Sequence, residues 1–93
     1  MKHEFSKVAQ SALQRLGKPP SSLYAMVRQQ ESKGRVKYGA DLDDYTGSDA
    51  ELEHHLAQEL IDALLYVELL IMRDPTESRE DIASLLGTAI KLL

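Results

Sequence analysis

Among the polar side chains in the largely aliphatic stretch HLAQELIDALLYVELLIM, residues 55–72, four have the spacing of one helix face: His55, Glu59, Asp62 and Tyr66. At about 100° per residue they fall within one narrow arc of a helix, with Arg73 near the same line and Glu68 on the opposite side. Glu59 and Asp62 are one turn apart, a spacing at which two carboxylates hold one or two hard cations through oxygen, and Mg²⁺ suits that ligand type. The line has two readings. It faces water as the polar side of an amphipathic helix, or it points into a polar pocket, where paired carboxylates need a cation or strong donors to offset the cost of burial.

The elements that must position these groups are legible from caps and periods. Phe5, Val8, Ala9, Ala12, Leu13 and Leu16 follow the i, i+3, i+4 spacing of a helix face, ended by Gly17 and Pro19-Pro20. Ser21 or Ser22 caps a second helix bearing Leu23, Met26 and Val27, expected to run to about Lys33, where Gly34 weakens it. GADLDDYTGSD reads as loop, and Ser48 with Glu51 forms a capping box for a third helix reaching about Arg73. Asp74 then caps a fourth helix with Pro75 at its first position, and Ile82, Leu85, Leu86, Ala89, Ile90 and Leu93 stripe it. No segment alternates with period two. The expectation is one all-α domain over residues 1–93, a four-helix bundle with the third helix central and buried.

Ninety-three residues are few for two cores, so an oligomer that shares a core is expected, a homodimer or higher. The absence of cysteine removes disulfides and Cys-based zinc sites and suits the cytoplasm. The start, MKHEFSKVAQ, has no apolar signal-peptide core, and the apolar run Leu60 to Met72 is too short for a membrane span. A net charge of −4 argues against a general nucleic-acid binder, although Arg28, Lys33, Arg35 and Lys37 make one basic segment. Glu51-Leu52-Glu53-His54 supplies a single Glu-x-x-His, where a di-iron bundle needs two and further Glu residues. DLDDYTGSDAEL is not an EF-hand: counted from Asp41, Tyr45, Thr46 and Leu52 occupy required ligand or glycine positions. Walker A, Gly-x-Gly-x-x-Gly and Gly-x-Ser-x-Gly patterns are absent.

QELIDALLY, with its Glu59-x-x-Asp62, resembles the second motif of the all-α, MazG-like nucleotide pyrophosphohydrolases, and ESKGRVKYGADL resembles the segment before it in phage-type members. The likeness covers about Glu31 to Met72 and rests on short motifs. It implies a small helical bundle, assembled as a dimer or tetramer, that cleaves nucleoside triphosphates to monophosphate and pyrophosphate with Mg²⁺, or Mn²⁺ in its place. The family's first Glu-x-x-Glu is not present as such: Glu31 has Arg28 and Gly34 three residues either side. Either Glu31 works alone, an Asp of the 41–44 loop substitutes, or the site is degraded.

Carried onto this chain, the resemblance makes Glu31, Glu59 and Asp62 the metal ligands, with the ion activating water and neutralising the leaving pyrophosphate. His55 becomes a partner to Glu59 or a general base, though it equally serves as a simple hydrogen-bond acceptor. Lys33, Arg35 and Lys37 become phosphate contacts or else a solvated basic segment. Tyr38 and Tyr66 become contacts to the base or else packing residues. Three functions remain open: the pyrophosphohydrolase, a non-catalytic nucleotide- or metal-binding module of the same fold, and a helical assembly module.

Overall fold

The computed structural model of the chain describes residues 5–17, 21–38 and 42–93. Among them stand four α-helices and no strand: α1 (Lys7–Arg15), α2 (Ser21–Tyr38), α3 (Asp49–Arg73) and α4 (Glu77–Lys91), with a 3₁₀ turn at Leu42–Asp44. The all-α class read from the periods is the class adopted. The helices belong to two compact units, Met1–Thr46 and Gly47–Leu93.

In the first unit α1 begins at Ser6, whose hydroxyl accepts from the Ala9 N–H. It ends as expected: Gly17 takes φ +75°, the left-handed conformation that glycine adopts without a Cβ clash, and its N–H donates to the Gln14 carbonyl. Ala9 and Leu13, one turn apart, are buried. α1 packs against α2 and against the 3₁₀ turn. Two expectations need correction here. Ser21 and Ser22 are the first residues of α2 rather than its cap, in a first turn whose N–H groups need no intrahelical partner. α2 also continues through Gly34 to Tyr38 instead of fading near Lys33. Gly34 costs the helix about 1 kcal/mol, but the Arg35–Glu31 ion pair, one turn long at 2.7 Å, bridges the weak point. The Pro19-Pro20 break and Asp41 lie outside the described residues.

In the second unit α3 and α4 pack as consecutive helices. Ser48 caps α3 as expected, accepting from the Glu51 N–H at 3.1 Å. In α3 Leu60, Ala63, Leu64, Val67 and Ile71 are half-buried or buried and recur at three- and four-residue steps, as do the half-buried Arg79, Ala83, Leu86, Gly87 and Ile90 of α4; His55, Ala57 and Ala89 are half-buried as well. Such steps are the spacing of two helices sharing one seam.

The expected cap of α4 is displaced by two residues. Thr76, not Asp74, accepts from the Arg79 N–H, and Asp74 instead ends α3, its own N–H donating to the Leu70 carbonyl. The Asp-Pro signal marks the chain reversal, and the first residue with a free hydroxyl after Pro75 does the capping. Arg79 closes the reversal, its Nη1 donating to the Leu70 carbonyl at 3.0 Å, which also accepts from the Asp74 N–H, and to the Asp74 carbonyl at 2.7 Å. Arg79→Ala is expected to cost about 1.5–3 kcal/mol, the range for hydrogen bonds to a charged group. Thermal unfolding checks this, and an unchanged midpoint would show that water replaces the guanidinium at no loss.

The expectation that α3 is buried all round is also corrected. Val67, 5% exposed, is its one buried side chain, while Met72 is 80% exposed and Leu65, Leu56 and Leu69 are also exposed. Within its unit α4 covers one stripe of α3, and the sequence is apolar over far more of the circumference than that.

Candidate functional site

The polar line of α3 is held by a 25-residue helix that is capped at Ser48 and seamed to α4 through Leu60, Leu64, Val67 and Ile71. Along it, Glu59 and Asp62 are exposed on successive turns, and Tyr66, 71% exposed, follows one turn later. His55 is half-buried with its ring 6.4 Å from that of His54. So within this unit the carboxylate pair, the tyrosine and the histidine do share one helix face, and the two acids stand in water rather than in a closed pocket.

Glu31 is placed differently. In the first unit its side chain is 7% exposed and fully engaged: Oε1 accepts from the Ser6 N–H at 2.9 Å and from Arg35 Nη2 at 2.7 Å, while Oε2 accepts from the Ser6 hydroxyl at 3.1 Å. Arg35, read as a phosphate contact, is therefore spent on Glu31. Lys33 and Lys37 are exposed one turn apart on α2, and the Tyr38 side chain lies outside the described residues. Of the acids near the 41–44 loop, Asp43 is likewise engaged, with Oδ2 accepting from the Lys7 N–H at 2.8 Å and Oδ1 from the Val8 N–H at 3.0 Å.

Sequence reading missed Ser6, and it weighed Asp43 only as one of the loop acids that could replace a metal ligand, not as an acceptor for the start of α1. A serine just ahead of an apolar-periodic run is an N-cap signal and marks Ser6. No local pattern marks Asp43, whose partners lie 35 and 36 residues away. The two backbone N–H groups of Lys7 and Val8 hold the Asp43 carboxyl below its ordinary value of 3.8. Because the folded value is the lower one, the stabilisation is complete above the unfolded aspartate value and drains away as pH falls through the folded one. The amide-proton shifts of Lys7 and Val8 are expected to be flat near neutral pH and to move only below about pH 3.9. Movement centred well above that would contradict the assignment of this bond.

Among the described residues no three His, Asp or Glu side chains gather closely enough to hold a metal ion. Glu59 and Asp62 fit as a pair of oxygen ligands: they are adjacent on a helix face and open to solvent. Glu31 does not fit in this conformation, since both its oxygens are taken. Mg²⁺ commonly binds through one or two carboxylates and keeps its remaining positions for water and substrate phosphates, so the pair suffices chemically where a triphosphate completes the shell. No helix among the described residues is long and apolar enough to cross a membrane. No family model, curated protein or solved structure matches the chain.

Proposed function

We propose that the chain is a Mg²⁺-dependent nucleoside triphosphate pyrophosphohydrolase of the cytoplasm, releasing nucleoside monophosphate and pyrophosphate and working as a homo-oligomer. One observation carries it: on a helix otherwise dominated by aliphatic residues, Glu59 and Asp62 stand exposed on successive turns in line with His55 and Tyr66. The resemblance of the same residues to a pyrophosphohydrolase motif names the reaction. When bound, the ion lowers the pKa of a coordinated water and neutralises charge on the departing pyrophosphate. Glu59 and Asp62 hold and orient it against the phosphates. Tyr66 offers a ring face and a hydroxyl to the nucleoside.

With two protein carboxylates rather than three, free Mg²⁺ binds weakly and the nucleotide brings it in. Mg²⁺ alone is therefore expected to leave the melting temperature unchanged, whereas Mg²⁺ with a non-hydrolysable triphosphate analogue raises it, because mass action stabilises the fold by about 2.7 kcal/mol at a hundred times the dissociation constant. Stabilisation by Mg²⁺ alone at micromolar concentration would point instead to a complete protein cage.

Homo-oligomerisation is proposed on composition and exposure together. Hydrophobic residues make up 43% of the sequence. Among the described residues only Ala9, Leu13 and Val67 are buried hydrophobics, and Leu65, Met72, Leu85 and Leu92 stand out strongly. A second reading is favoured by the engagement of Glu31 and Asp43: a non-catalytic module of the same helices, kept for nucleotide binding or assembly. Assay for pyrophosphate release separates the two, because the module forms oligomers or binds nucleotide and yields no product.

A further inference from the structure

We propose that residues 5–16 form a strap that docks and releases as one unit, latched at its N-terminal end by the Glu31 and Asp43 carboxylates. The observation behind it is that four consecutive backbone N–H groups have acceptors that are not the helix's own carbonyls. Ser6 donates to Glu31, Lys7 and Val8 donate to Asp43, and Ala9 donates to the Ser6 hydroxyl, which itself donates to Glu31. A helix start always leaves such donors open, and a side chain of the helix's own cap usually satisfies one of them. Here α2 and the 3₁₀ turn supply the rest, at sequence separations of 25 to 36 residues.

The strap depends on these bonds. α1 has 9 residues, below the roughly 12–15 at which a helix holds its shape alone in water. Further anchors lie at the same end, with the Phe5 ring 6.2 Å from that of Tyr24 and beneath the Arg28 guanidinium at 5.4 Å, and beyond them only Ala9 and Leu13 of α1 are buried. Losing the latch therefore removes what keeps α1 helical along its whole length, and release uncovers Ala9 and Leu13, two of the three buried hydrophobic side chains of the described residues. Release is also cheap for the acids. When the strap leaves, Glu31 keeps Arg35, which sits on α2 beside it, so no buried charge is orphaned.

The consequence is a cooperative opening of the kind seen where a segment has few apolar contacts of its own. Asp43→Asn tests it. An asparagine keeps the shape but has one acceptor oxygen, and its NH₂ faces a backbone N–H that needs an acceptor. Glu31→Gln makes the matching change at the other carboxylate. Native-state hydrogen exchange is then followed amide by amide on the full chain.

The expected result is that either variant speeds exchange of all α1 amides, including those of Leu13 to Arg15, by one common factor of about tenfold or more. The amides of α3 and α4 keep their rates. Acceleration confined to Lys7 and Val8 in Asp43→Asn, and to Ser6 in Glu31→Gln, would overturn the strap and leave two independent caps. Acceleration of α3 and α4 in step with α1 would overturn it too, because the latch would then be part of global unfolding.

Discussion

Glu59→Ala is expected to lower Mg²⁺-dependent pyrophosphate release by about a hundredfold or more, the loss typical when one fixed charge-stabilising group is removed from a reacting site. Glu59 is exposed on α3, away from the seam residues Leu60, Leu64, Val67 and Ile71. Substitution of such a surface residue ordinarily shifts stability by no more than about 0.5 kcal/mol, so the melting temperature and helix content should stay those of the parent. The two readouts together decide the matter. Activity lost with the fold intact assigns the carboxylate to the reaction. Equal activity in parent and variant, well folded, would mean that the line His55, Glu59, Asp62, Tyr66 is only the wet side of a helix.

Leu85→Lys is expected to break the proposed homo-oligomer into monomers, with an association constant lowered by about a hundredfold or more. Leu85 is 71% exposed in the single chain, on the same stripe of α4 as Ile82, Ala89 and Leu93. Burying one leucine contributes about 1.5–3 kcal/mol, and in a two-fold interface each substitution counts twice. A buried lysine without a partner adds a further cost. Because the side chain has little to lose within its own chain, the monomer should fold as before. Sedimentation at micromolar concentration reads the result, and an unchanged sedimentation coefficient for the variant would show that α4's exposed stripe is not the contact.

How far the sequence told this in advance differs from element to element. The Ser48 cap and the stop at Gly17 were legible because both signals are local, a hydroxyl three residues from its N–H and a glycine that takes φ +75°. The start of α4 was misplaced because Asp74-Pro75 carries a stronger pattern than Thr76, while the actual choice is made by Arg79 bonding back to Leu70 and Asp74. The extension of α2 past Gly34 was hidden for a related reason. A propensity cost is visible in one residue, whereas the compensating Arg35–Glu31 pair is visible only once Glu31 is seen to be buried.

For the site, the alignment of Glu59, Asp62 and Tyr66 follows from helix geometry alone, and their exposure does not. Apolar periodicity on α3 says which residues avoid water, not which neighbour covers them, so a run read as central to a core has one covered stripe and several bare ones. Glu31 shows the same limit from the other side. The family resemblance implied that it is a metal ligand, yet its partners are Ser6, 25 positions earlier, and Arg35. That tertiary use of a carboxylate has no signature in a one-dimensional pattern.

The measurement that bears most directly on the proposed function is product analysis. The full chain is incubated with each common ribo- and deoxyribonucleoside triphosphate, with and without Mg²⁺, and the products are separated. Nucleoside monophosphate and pyrophosphate in equal amounts, formed only with the metal and missing from Glu59→Ala, is the predicted result. Folded protein that turns over none of the triphosphates at millimolar Mg²⁺ would contradict it and leave the helices as a binding or assembly module.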